Sequence, residues 1–116
     1  MVEILLIPIE DIIACNHEFT GLPCDPKRCE NVGACYSSFY FYGTIEEQIT
    51  SIVVSLAKGH FFVDGNKRTA LYAYIMLCEI NGLPYIQDRD EQVRIFVDIA
   101  RSRLDMKRCL EMLFPG

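Results

Sequence analysis

Residues 60 to 68 read His-Phe-Phe-Val-Asp-Gly-Asn-Lys-Arg and gather an imidazole, a carboxylate, an amide, an ammonium and a guanidinium in one short stretch. The spacing predicts a helix that begins at Asn66, so this stretch forms the mouth of a helix. A helix N-terminus leaves about four backbone amides without partners and carries a partial positive charge. Gly65, just before it, allows a ligand to approach the backbone closely. Lys67 and Arg68 at that end are unfavourable for an empty helix tip and make sense once a multiply charged anion such as phosphate binds there. Asp64 supplies a carboxylate for Mg²⁺ beside the anion or for orienting a neighbour. His60 can take a proton near neutral pH. A base, a metal carboxylate and a phosphate cradle are the parts needed to transfer a group from a nucleotide to a hydroxyl. Each residue also has a plainer role. Asp64 suits a helix cap, Lys67 and Arg68 suit solvated positions, His60 and His17 suit structural ones, and Phe61 and Phe62 suit core anchors. Their convergence on one helix mouth favours the chemical reading.

The elements that must hold this stretch are helical almost throughout. Pro8 opens a helix in which Ile9, Ile12, Ile13 and Asn16 share one side, with Glu10 and Asp11 in the first turn. Gly21, Pro23 and Pro26 end it. Residues from Gly21 to Gly43 show no sustained period, and the aromatic run Tyr36 to Tyr42 suits either a short helix or a flap. Thr44-Ile45-Glu46-Glu47 is a capping box, followed by Ile45, Ile49, Ile52, Val53 and Leu56 at helical spacing until Gly59. The helix from Asn66 to Asn81 is apolar nearly all round (Ala70, Leu71, Ala73, Tyr74, Ile75, Met76, Leu77), which places it at the centre of a bundle. Gly82 and Pro84 end it. Asp90 is expected to cap a further helix with Val93, Phe96, Val97, Ala100 and Leu104 facing inward. Asp105 is expected to cap a last one carrying Cys109, Leu110 and Leu113. Strand candidates are limited to Ile4 to Ile7 and Tyr85-Ile86. The expectation is an all-α, single-domain bundle over residues 1–116, with a central apolar helix after the site loop.

Composition narrows the function classes. The chain has 116 residues, 51% hydrophobic and 23% charged, with 16 acidic and 11 basic residues and a net charge of −5. One domain fits this length, and low-complexity disorder does not fit this apolar content. The acidic balance argues against a broad electrostatic grip on nucleic acid. The N-terminus lacks the basic start and long apolar run of an export signal, and no run suits a membrane helix, so a cytoplasmic protein is expected. Six cysteines are present. Cys78 and Cys109 fall within apolar helical patterns, while Cys24, Cys29 and Cys35 are spaced more widely than the C-x2-C pairs usual for zinc. Reduced thiols are therefore expected, with a metal-stabilised interaction domain as the alternative.

The stretch His60 to Arg68 resembles the signature H-x-F-x-[DE]-[GA]-N-[GK]-R of the Fic/Doc family. Thr69-Ala70-Leu71 and Asn81-Gly82-Leu83 resemble it too, as does an early helix bearing His17. The similarity is strongest over residues 56 to 84. It implies a small all-α fold in which His60 deprotonates a hydroxyl of a target protein. It implies that Gly65, Asn66, Lys67 and Arg68 hold the phosphates of ATP, that Arg68 also serves catalysis, and that Asp64 assists through Mg²⁺ or by positioning. Lys67 stands where most Fic enzymes, which transfer AMP, have Gly. The Lys form resembles the Doc (death-on-curing) toxins, which transfer the γ-phosphoryl group with ATP bound in the opposite sense. A long cation there fills the groove that the α-phosphate takes in the AMP-transferring pose. For that branch the implied target is translation elongation factor Tu, and the implied restraint is an antitoxin segment folding as a helix into an apolar groove. The inhibitory pattern [ST]-x-x-x-E-[GN] is absent from the chain: Glu30-Asn31 has Pro26 where Ser or Thr is needed. The expected function is a Doc-like kinase of a toxin–antitoxin pair. AMP transfer by the same site is the near alternative, and a catalytically silent binding module the distant one.

Overall fold

A computed structural model describes residues 3–23, 26–101 and 104–116, with the side chains of residues 26, 28 and 29 left aside. Among the described residues six α-helices follow one another: α1 (Ile9–Thr20), α2 (Pro26–Val32), α3 (Ile45–Lys58), α4 (Asn66–Ile80), α5 (Arg89–Arg101) and α6 (Met106–Leu113). Two short 3-10 turns, Gly33–Tyr36 and Phe39–Phe41, lie between α2 and α3. The segment from Gly21 to Gly43, which has no sequence period, thus contains a two-turn helix and two tight turns. No strand occurs among the described residues. The radius of gyration is 13.3 Å, about that of one folded domain of this length.

α4 is central. It packs chiefly on α3 and also touches α1 and α5. Ala70, Ala73, Tyr74, Leu77 and Cys78 along it are fully buried against Ile49, Ile52, Val53 and Leu56 of α3 and Ile12 of α1. The small Ala70 and Ala73 let the helix axes approach, and dispersion over many close contacts then accumulates. Tyr74 is also a polar hub. Its hydroxyl donates to the Leu113 carbonyl at 2.7 Å and accepts from the Ile86 amide at 2.9 Å, tying α6 and the segment before α5 to the central helix.

Caps fix where the helices begin. Thr44 Oγ1 accepts from the Glu47 amide at 3.1 Å, and the same hydroxyl donates to the Glu47 carboxylate at 2.9 Å. The Glu47 side chain therefore reaches back to the Thr44 hydroxyl. Asp105 accepts from the Arg108 amide at 2.8 Å, as expected. At α5 the expectation needs correction: Asp88, and not Asp90, caps the helix, accepting from the Glu91 amide at 2.9 Å. Its inward face is also rotated from the one expected. Gln92, Ile95, Phe96 and Ile99 are buried, while Val93 is 51% exposed. Gln92 can turn inward because its amide donates to the Ile86 carbonyl, which removes the cost of burying it.

The strand candidates form no ladder. Ile4 to Ile7 and Tyr85-Ile86 run as extended segments without strand pairing. Asn81 takes the place of a partner strand: Leu5 N–H donates to its Oδ1 at 2.8 Å, and its Nδ2 donates to the Leu5 carbonyl at 3.0 Å. One side-chain amide thus satisfies both backbone groups of Leu5.

Cys35, Cys78 and Cys109 are buried free thiols, and Cys15 is a half-buried one. Burial pushes Cys35 and Cys78 up to about 12 from their ordinary 9.0. Cys24 and the side chain of Cys29 lie outside the described residues, so the wider cysteine cluster is not drawn in the structure. No group of three or more His, Cys, Asp or Glu suited to a metal ion occurs among the described residues. Among the described residues, no helix is long and apolar enough to cross a membrane.

Candidate active site

Gly59 ends α3 with its N–H bonded to the Ser55 carbonyl at 2.8 Å. The chain then turns sharply, and His60 adopts a φ of 52° in the left-handed region that non-glycine residues seldom occupy. Gly59 permits this turn because the Phe61 ring and the Ser55 carbonyl fill the space a Cβ would need, at 2.5 and 2.6 Å. Phe62 is buried in the core and anchors the loop, while Phe61 is half-buried beside it. His60 is thereby held exposed on the outer rim.

Asn66 clasps this loop to the helix. Its Nδ2 donates to the Phe62 carbonyl at 2.9 Å, and its Oδ1 accepts from the Phe62 amide at 3.1 Å. The Asn66 side chain is thus chiefly engaged in shaping the loop. Asp64 accepts from the Gly65 amide through Oδ1 at 2.8 Å. It does not cap α4. Gly65, at φ 75°, holds the N-cap position and offers no side-chain hydrogen bond to the helix. The amides of Asn66, Lys67 and Arg68 in the first turn therefore lack the side-chain cap that α3 and α6 possess.

A buried side chain from α1 braces the loop from behind. Asn16, 5% exposed, donates to the Asp64 carbonyl at 2.8 Å and to Thr69 Oγ1 at 3.1 Å. Thr20 and Asn16 also close on Gly65, where a Cβ would meet Thr20 Cγ2 at 2.8 Å and Asn16 Nδ2 at 3.1 Å. Sequence periodicity places Asn16 on the inner side of α1, and a lone amide among isoleucines is a signal for such bracing. Its partners become visible only when α1 is docked.

These elements enclose a cleft of about 400 Å³, within the size range of small-molecule sites. His60, Asp64, Gly65, Asn66, Lys67 and Arg68 all line it, so the six candidate site residues meet at one place. His17 does not. Its Nδ1 lies 2.8 Å from the Leu22 carbonyl at the end of α1, a local structural contact. The cleft also draws in residues that sequence reasoning does not reach: Phe19 and Thr20 from α1, Ala57 from α3, and Ala100 and Arg101 from the end of α5. A second, more apolar cleft of about 560 Å³ adjoins it between α4 and α5 and shares Phe19, Lys67 and Arg68. Val93 and Val97 line this second cleft, which accounts for apolar side chains on the outer face of α5.

The arrangement defines a class of protein: a small helical domain whose central helix opens, uncapped and cationic, into a cleft beside an imidazole and a carboxylate. The family model for the Fic/DOC family matches residues 10–78, more than half of the chain and all of this loop, and the chain belongs to that family. The family consists generally of protein-modifying transferases that use ATP. A search of curated proteins finds no match to the chain.

Proposed function

We propose that the chain is a Doc-like kinase that transfers the γ-phosphoryl group of ATP to a Thr or Ser hydroxyl of a translation elongation factor resembling elongation factor Tu. The single observation that carries this reading is the uncapped N-terminus of α4, with Lys67 and Arg68 beside it, opening into the same cleft as His60 and Asp64. In an acidic protein of net charge −5, two cations at the positive end of a helix are explained by a bound polyanion. The first-turn amides and the cations of Lys67 and Arg68 would hold the phosphates and stabilise the charge that spreads over the transferred group. His60, on the rim, would accept the proton of the attacking hydroxyl as its oxygen bonds to the γ-phosphorus and the bond to the β-phosphate oxygen breaks, releasing ADP. Asp64, whose Oδ1 accepts from the Gly65 amide, would hold Mg²⁺, and with a lone carboxylate the remaining ligands would be phosphate oxygens and water, the usual pattern for that ion. When bound, the metal would neutralise phosphate charge. One domain over residues 1–116 would carry the whole reaction, in the cytoplasm where such a target resides.

The adjoining apolar cleft, edged by Lys67, Arg68 and Arg89, supports an antitoxin partner that inserts an acidic-edged amphipathic helix. The nearest alternative reaction is AMP transfer through the same site. Incubating the purified chain and elongation factor Tu with ATP labelled at the γ or the α position separates the two. Label from the γ position on the factor is expected, label from the α position would establish AMP transfer, and no label in either case would leave a binding module. His60→Ala should lower transfer by about 10²- to 10⁴-fold. Thr44→Ala, which removes only the α3 cap, should cost about 1 kcal/mol of stability and leave transfer intact. Equal loss in both variants would point to unfolding and refute the assignment of His60.

A further inference from the structure

We infer that Arg101, in the last turn of α5, is a third phosphate-gripping side chain and sets the preference of the cleft for a triphosphate over a monophosphate. This inference rests on the nucleotide reading above. Arg101 lines the cleft together with Lys67 and Arg68, although it arrives on a different helix. Among the lining residues there are thus three permanent cations and one carboxylate, Asp64, in a protein whose net charge is −5. Among the described residues, no ion pair engages Lys67, Arg68 or Arg101; the pairs Arg94–Glu91 and Arg108–Glu111 lie elsewhere on the surface.

An arginine at a helix C-terminus is favoured by the helix dipole, which accounts for a cation in the last turn of α5. The dipole does not account for its place in a cleft that already holds two cations, where mutual repulsion disfavours it. A polyanion reverses that sign. The uncapped first turn of α4, with Lys67 and Arg68, can surround one phosphoryl group. The charge of a triphosphate extends beyond that group, and Arg101, reaching in from α5, meets the part of the phosphate chain away from the helix tip. Its planar guanidinium suits two phosphate oxygens at once, which a lysine cannot match. Arg101 is exposed, so solvent screens the contact and moderates the effect.

The test measures binding of ATP, AMP and inorganic tripolyphosphate to the purified full chain by calorimetry. Arg101→Ala should weaken ATP and tripolyphosphate by about five- to tenfold and change AMP by less than about twofold, with the melting temperature unchanged. Arg101→Lys should recover part of the loss and Arg101→Gln little, and these two variants serve if the alanine variant folds poorly. Equal weakening of ATP and AMP, or unchanged affinity for all three, overturns the role of Arg101 while leaving the nucleotide reading in place. A wild-type chain that binds none of the three probes removes the nucleotide reading, and the role of Arg101 falls with it.

Discussion

Asn16 is the most informative position to perturb, because it joins the first helix to the site loop through a single buried amide. In Asn16→Ala the Asp64 carbonyl loses a donor held at 2.8 Å and the buried Thr69 hydroxyl loses one at 3.1 Å. Each orphaned group costs about 1–3 kcal/mol, less where water can reach it. Asp64 is exposed at the loop surface, so the sum should be about 2–3 kcal/mol. At about 2.1 cal/mol/K of unfolding entropy per residue, that lowers the melting temperature by roughly 8–12 °C. Asn16→Asp keeps the shape but turns an oxygen toward the Asp64 carbonyl, and should destabilise at least as much. A cycle with Thr69→Val isolates the contact between the two side chains, for which a coupling of about 1 kcal/mol is expected. Circular dichroism melts and ATP titration check both consequences. At 25 °C the variant remains almost wholly folded, so a fall in ATP affinity there reports a displaced loop. An Asn16→Ala chain that melts within about 2 °C of wild type and binds ATP unchanged would refute the bracing argument.

Two further perturbations probe the scaffold. Tyr74→Phe orphans the Leu113 carbonyl and the Ile86 amide and should cost about 2 kcal/mol in denaturant unfolding, without altering ATP affinity; a cost below about 0.5 kcal/mol would contradict the hub role of that hydroxyl. The thiols of Cys35 and Cys78 and the phenol of Tyr74 are each pushed up to about 12 by burial. The unfolded chain releases these protons at lower pH than the native one, so the native state holds more of them in alkali. The associated stability is complete below the ordinary thiol value of 9.0 and is lost as pH rises toward about 12. Unfolding free energies measured from pH 8 upward should therefore fall, and a flat or rising profile would refute the burial of these groups.

The helices and the site loop were legible in the chain because their signals are local. A Pro at a helix start, a Thr three residues before a Glu and a Gly past a helix end act within one or two turns, and hydrophobic period reports which face is covered. The grouping of His60, Asp64, Gly65, Asn66, Lys67 and Arg68 was legible for the same reason, since these residues lie close together in sequence at one helix mouth. The misplaced features depend on partners outside their own element. Gln92 turns inward, against its polarity, because the Ile86 carbonyl awaits it, and this rotates the buried face of α5 away from Val93. The amide of Asn81 replaces a strand for Leu5 from 76 residues further along the chain. Asn16 reaches the site loop from α1 and Arg101 reaches the cleft from α5, and no periodicity in either helix encodes what stands opposite. Sequence alone thus settled the helical class and showed that the candidate residues lie together at one helix mouth, since both follow from short-range backbone effects and spacing. Tertiary packing decided what braces the loop and how many cations face one cleft, because a buried polar group takes its role from whatever partner the fold brings within hydrogen-bonding distance.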